Sequence, residues 1–271
     1  MPTRTRFQKC LRFGLLLICA ANLRGDGLRT VRSSGRGAPF ADLLPLTMVW
    51  AWEEPEDLNR IDPKKVGVAY LAETLRLSTE VRIRPRYQPL RLAPGTAVMA
   101  VVRIESERGF TDTPGLQVAT ANALSEVARR PDTRAFQVDF DATQSQRAFY
   151  TAVLRQLRAQ MPARIPLSIT ALLSWCGVDP AEPWIGSLPV DEAVPMYFRL
   201  GVRRPLTEDK DGYRIREPLC GGSVGVSTDE SWPRITGDRR LYLFAPHPWT
   251  AAQLDSIAQT PATSLAKEFA P

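Results

Sequence analysis

Eight short apolar runs, most of them nearly unbroken by polar residues, constrain this chain more than any other feature. They are Leu46–Trp52, Val66–Leu71, Ala97–Ile104, Ala135–Phe140, Leu167–Trp175, Ala193–Leu200, Ser223–Val226 and Leu241–Phe244. Each has strand length. A strand with one wet face alternates apolar and polar residues, whereas a continuous run marks a strand buried on both faces, as in parallel sheets. Helical patterns stand between several runs. Leu116–Arg130 ends at Pro131, Gln144–Gln160 gathers Phe149, Val153 and Leu157 on one face, and Thr250–Gln259 opens with an N-cap residue. Eight buried strands with interposed helices predict an α/β fold, a single (β/α)8 barrel, for which about 250 residues are typical. The chain has 271 residues. An open doubly wound sheet is the alternative. Val81–Leu92 alternates instead, and reads as a β-hairpin insert between the second and third strands.

The first 21 residues have the layout of a signal peptide. Arg4, Arg6, Lys9 and Arg12 precede an apolar run, Phe13 to Ala21, about half the ~20 residues needed to span a bilayer. Residues 22–44 read as a linker, 45–260 as the barrel domain and 261–271 as a tail. An uncleaved leader would be the sole membrane contact. The formal charge of +6 falls to +2 once those four cations leave, and no later basic stripe carries interleaved aromatics. A nucleic-acid partner is therefore not expected. Export to a periplasmic or extracellular compartment would leave Cys176 and Cys220, either paired or as two buried thiols.

In such a barrel the working groups sit where strands end. Those positions hold Trp52 and Glu53, Arg103 and Glu105, Asp139 and Asp141, Trp175, Tyr197 and Arg199, Asp229 and Glu230, and Trp249. Aromatic faces beside carboxylates and guanidinium groups suit sugars. Asp139 and Asp141 are two apart, so on a strand they share a face. Crowding their charges raises one pKa and favours general acid/base chemistry. A plainer role for Asp141 is to cap the helix that follows.

The string Gln137-Val138-Asp139-Phe140-Asp141 with Gln146-Arg147-Ala148-Phe149-Tyr150 resembles a family of uncharacterised exported bacterial proteins, the domain-of-unknown-function family numbered 3142. So do Trp52-Glu53, Cys220-Gly221-Gly222-Ser223, Ser227-Thr228-Asp229-Glu230 and Leu243-Phe244-Ala245-Pro246-His247-Pro248-Trp249. That resemblance covers roughly residues 45–260. More distantly, the Asp139/Asp141 alternation is similar to the fourth strand of family-18 glycoside hydrolases. The Met196-Tyr197 pair is similar to that family's Met-x-Tyr pattern without the spacer. The position of the family's proton donor is Thr143 here, whose hydroxyl cannot serve as an acid near neutral pH. The resemblance thus implies a polysaccharide partner. It leaves the proton donor to another acid, with Glu230 first and Glu53 and Glu105 behind it. A barrel that binds sugar without cutting it is the alternative, favoured by Thr143.

Two rival motifs fit less well. Gly221-Gly222-Ser223-Val224-Gly225 matches an esterase nucleophile elbow, with Asp229 or Asp238 and His247 following in order. An elbow needs a helix after its serine, and an apolar strand-like run follows here. The single histidine argues against a His-based metal site. An all-carboxylate Ca²⁺ or Mg²⁺ site at Asp139, Asp141 and Asp229 is the remaining metal reading, and no cofactor is expected.

Overall fold

The structure, a computed structural model, describes residues 40, 42–177, 184–200, 208–209, 212–213, 215–233, 235, 238–260 and 265. The expected leader, most of the expected linker and nearly all of the tail lie outside them. Eight parallel strands form the frame. They are β1 (Thr47–Ala51), β2 (Val66–Leu77), β3 (Val98–Ser106), β4 (Ala135–Asp139), β5 (Leu167–Leu172), β6 (Glu192–Met196), β7 (Ser223–Ser227) and β8 (Arg240–Phe244). Each pairs with the next in chain order, and β1 pairs with β8 on one side and β2 on the other. The sheet is thereby a closed (β/α)8 barrel, as the eight runs predict.

Helices cover part of the outside. They are α1 (Pro114–Ala128), α2 (Arg147–Gln160) and α3 (Ala251–Gln259). The Thr113 hydroxyl accepts from Leu116 N and Thr250 from Gln253 N, so both helices begin at side-chain caps. Leu124 and Val127 of α1 and Phe149, Val153 and Leu157 of α2 pack in one apolar cluster against the outer faces of β3 to β5. After β1 and β2 no helix follows. Glu56–Leu58 pairs in parallel with Leu90–Leu92 instead, and Leu58 with its neighbours buries the barrel wall there.

The expected hairpin within 81–92 does not form. Val81–Pro85 turns back antiparallel onto β2, pairing Leu77 with Val81 through Glu73 with Pro85. Leu90–Leu92 belongs to the separate two-stranded pair. The alternation was read correctly as strand, but its partner is the long β2, not its own continuation.

Two-residue alternation sorts side chains into those inside the barrel and those outside it. At the amino-terminal end of the strands the interior is polar. Glu192 is 4% exposed and accepts from Arg240 Nη1 at 3.2 Å, Tyr242 Oη at 2.8 Å and Ser168 Oγ at 2.9 Å. Arg240 also donates to the carbonyls of Phe40 at 3.1 Å and Pro45 at 3.0 Å. Phe40 is fully buried, so the end of the stretch read as linker plugs the barrel floor. Cys176, just past β5, is disulfide-bonded to Cys220, just before β7. Among the described residues no helix is long and apolar enough to cross a membrane.

Removing one partner of a buried ion pair strands the other charge and costs about 3–5 kcal/mol. Arg240→Met should therefore destabilise the barrel by about that much, measured by urea unfolding. Adding Glu192→Gln should recover a substantial part, because the stranded charge is then gone.

Candidate functional site

At the carboxyl-terminal ends of the strands the same alternation carries one set of side chains to a common mouth. Trp50 and Trp52 follow Met48 in parity. Arg103 follows Val101, Asp141 follows Asp139, Leu172 follows Thr170, and Phe198 follows Met196. With Arg199 and Phe244 these residues line a cavity of about 280 Å³. Phe198 and Phe244 stack with ring centroids 5.3 Å apart and planes within 8° of parallel, and Trp52 meets Phe244 edge-on at 6.3 Å. Leu172 is exposed at the rim. The cavity thus combines an aromatic shelf with a charged wall.

Asp139 closes β4 and sits deepest in the charged wall, only 9% exposed. Its carboxylate accepts from Thr170 Oγ1 at 2.6 Å and from Arg103 Nη1 at 3.4 Å. Arg103 also donates to Glu105 at 3.1 Å and stands over the Trp52 ring, 5.4 Å from its centre. Burial raises the Asp139 carboxyl above its ordinary value of 3.8. The Arg103 charge and the Thr170 hydrogen bond pull the other way, and the charges of Asp141 and Glu105 add to the rise. Asp139 is therefore an acid that keeps its proton to a higher pH than a free carboxylate. Asp141 lies one step beyond the strand end, exposed and in the same cavity. It does not cap the following helix, because the Thr143 N–H donates to Gln146 Oε1 at 2.9 Å and closes that turn locally.

Arg199 has φ +55°, the left-handed region that a side chain of its size rarely adopts. That backbone turn breaks the parity of β6, so both Phe198 and Arg199 face the cavity. Its N–H donates to Glu230 Oε1 at 3.1 Å, and its guanidinium pairs with Glu230 and with Asp229 Oδ2, the latter at 2.8 Å. Ser227 donates to Asp229 as well, and that bond, ahead of the Arg199 pairing, holds the Asp229 carboxyl below its ordinary value. The loop after β7 thus fixes a strained Arg199 at the rim.

Several expected site residues stand elsewhere. Glu230 and Asp229 serve Arg199 and are not among the residues lining the cavity, so Glu230 acts through Arg199. Glu53 has the opposite parity to Trp52 and faces a second cavity beside Arg84, 3.7 Å away. Glu105 reaches the site only through its bond to Arg103. Trp175 packs edge-on against Trp184 at 4.8 Å, on the outer cluster. Tyr197 is 6% exposed in the outer core, opposite in parity to Met196 and Phe198. Trp249 is likewise buried there, with its indole N–H donating to Trp50 O at 2.8 Å. Thr170, Phe198 and Phe244 line the site without having been expected. Counting by two finds them only once one inner residue of each strand is known.

The esterase motif has a different explanation. Ser223 is the first residue of β7, fully buried on the floor side, and a strand follows it. Gly225 is needed because a Cβ there would come within 2.9 Å of Met196 Sδ inside the barrel. Among the described residues no group of three or more acidic, Cys or His side chains is placed to hold a metal ion.

A family model described as "Domain of unknown function (DUF3142)" matches residues 94–187. That stretch is narrower than the resemblance over 45–260, and it contains Arg103, Asp139, Asp141 and Thr170. No curated protein matches the chain. Among solved structures, the chain is similar to the crystal structure of the Bacillus cereus spore cortex-lytic enzyme SleL, at 15% identity and a TM-score of 0.43. The likeness covers 67% of this chain and 50% of that one, so the chain spans about half of that protein's length.

The folded chain binds more protons than the unfolded chain between the ordinary and the raised pKa of Asp139. Its contribution to stability is therefore full below the ordinary value and falls as pH rises through that window. The stability of the native chain relative to Asp139→Asn should decline as pH rises from the ordinary aspartate range. Urea unfolding at stepped pH measures this, and a flat difference would count against the assignment.

Proposed function

We propose that the barrel mouth binds a polysaccharide, as a glycoside-hydrolase-like barrel would. The observation that carries this reading is the composition of one cavity. Trp52, Phe198 and Phe244 bring aromatic rings to it, and Asp139, Asp141, Arg103 and Arg199 bring hydrogen-bonding groups. A sugar ring has the same two characters, apolar faces and a polar edge, and aromatic contacts of this kind contribute about 0.5–1.5 kcal/mol each. Trp52→Ala should weaken binding of soluble oligosaccharides about 3–10-fold in calorimetric titration, while Trp175→Ala, outside the mouth, should leave binding unchanged. Equal effects of the two would defeat the reading.

A second reading, hydrolysis of the bound chain, is favoured by the place of Asp139, a buried carboxyl lining the cavity whose pKa is raised by that burial. A carboxyl that keeps its proton can deliver it to a glycosidic oxygen as the C–O bond breaks, and Asp141 can take the proton of the attacking water. Glu230, Glu53 and Glu105, the other candidate donors, do not line this cavity. Asp139→Asn should then abolish release of reducing ends from a polysaccharide panel while oligosaccharide binding survives. Binding without turnover in the native protein would leave the non-catalytic reading in place.

The Cys176–Cys220 bond and the basic-apolar N-terminus together support export to an oxidising compartment. Expressed at full length in a bacterium, the chain should appear in the periplasm or medium, with N-terminal sequencing beginning after Ala21. Retention of the intact leader in the cytosol would refute it.

A further inference from the structure

We infer that the polysaccharide site continues from the mouth into a second cavity under the β2 turn-back, which takes further sugar units of the same chain. This rests on the polysaccharide reading of the mouth. The second cavity, about 260 Å³, is lined by Glu53, Arg84, Arg86, Tyr87 and Gln88 among others. The loop after β1 reaches both cavities, since Trp52 lines the mouth and the next residue, Glu53, lines this one.

The second cavity is held in shape by Arg86. Its guanidinium donates to the carbonyls of Ala51 at 3.3 Å, Glu54 at 2.5 Å and Gln88 at 3.0 Å, and its N–H donates to Ala72 O at 2.9 Å. Those bonds tie the end of the antiparallel turn-back to the loop after β1. The next residue, Tyr87, is 77% exposed, the most exposed large apolar side chain among the described residues. An aromatic ring displayed in this way beside Glu53, Arg84 and Gln88 repeats the chemistry of the mouth, a ring face for stacking with polar groups at its edge. Glu53 pairs with Arg84 across this cavity, which accounts for its departure from the mouth.

The test uses the full chain and oligomers of two and six units of β-1,4-linked N-acetylglucosamine and of glucose, titrated by calorimetry. Stacking worth about 0.5–1.5 kcal/mol corresponds to roughly 2–10-fold in affinity. Tyr87→Ala should lower six-unit affinity within that range and two-unit affinity by less than about twofold, while Tyr87→Phe retains both. Thermal melting should coincide with the native chain, since the side chain is solvent-exposed. Equal loss for both lengths, or no loss for either, overturns the second cavity and leaves the mouth reading standing if Trp52→Ala still weakens the two-unit oligomer. If no oligomer binds the native chain, both fall together.

Discussion

Closure of the sheet is the constraint from which the rest of this structure follows. β1 hydrogen-bonds to β8 and to β2, so no barrel strand is left with an open edge on that side, and the strands run parallel all the way round. Because they are parallel, all eight deliver their carboxyl ends to the same rim. Because side chains alternate in and out, every second residue near that rim meets its counterparts from the other strands. A cavity lined from residue 50 to residue 244 is a consequence of those two regularities.

Closure also puts side chains where no water can solvate them, and the polar ones must find partners inside. The floor does so with the Glu192, Arg240, Tyr242 and Ser168 network, roofed from below by Phe40 and the carbonyls near it. It does so incompletely, since Ser223 Oγ and Gln137 Oε1 are buried without a hydrogen-bond partner among the described residues. At the mouth Asp139 has Thr170 and Arg103, yet its burial still outweighs them and lifts its pKa. The same polar interior is therefore structural at one end and chemically poised at the other, and the difference is access to solvent.

The frame was legible in the sequence because continuous apolar runs of strand length have few other uses. The caps at Thr113 and Thr250 and the apolar face of Gln144–Gln160 were legible for equally local reasons. Parity was not. In a strand buried on both faces, inner and outer residues are both apolar, so nothing in Ala193–Leu200 marks Phe198 as inner and Tyr197 as outer. That ambiguity put Tyr197 on the wrong face, and it hid Thr170, Phe198 and Phe244. Only where a strand carries polar residues two apart, as in Gln137, Asp139 and Asp141, does the inner face declare itself. Asp139 and Asp141 line the cavity, as do Trp52, Arg103 and Arg199.

Glu230 shows a different limit. Its residue type and position after β7 suit a catalytic acid, but what decides its role is the backbone of another strand. Arg199 leaves β6 with a positive φ and offers both its N–H and its guanidinium to the β7 loop. A carboxylate that accepts from both is committed to holding that conformation. The cost of the left-handed backbone, about 1–3 kcal/mol, is offset by those bonds and by Asp229. Its effect is to bring two consecutive side chains, one aromatic and one cationic, into a cavity that strict alternation would have given only one. The strained residue lies where the aromatic shelf meets the charged wall, which is where a ligand with an apolar face and a polar edge would need both.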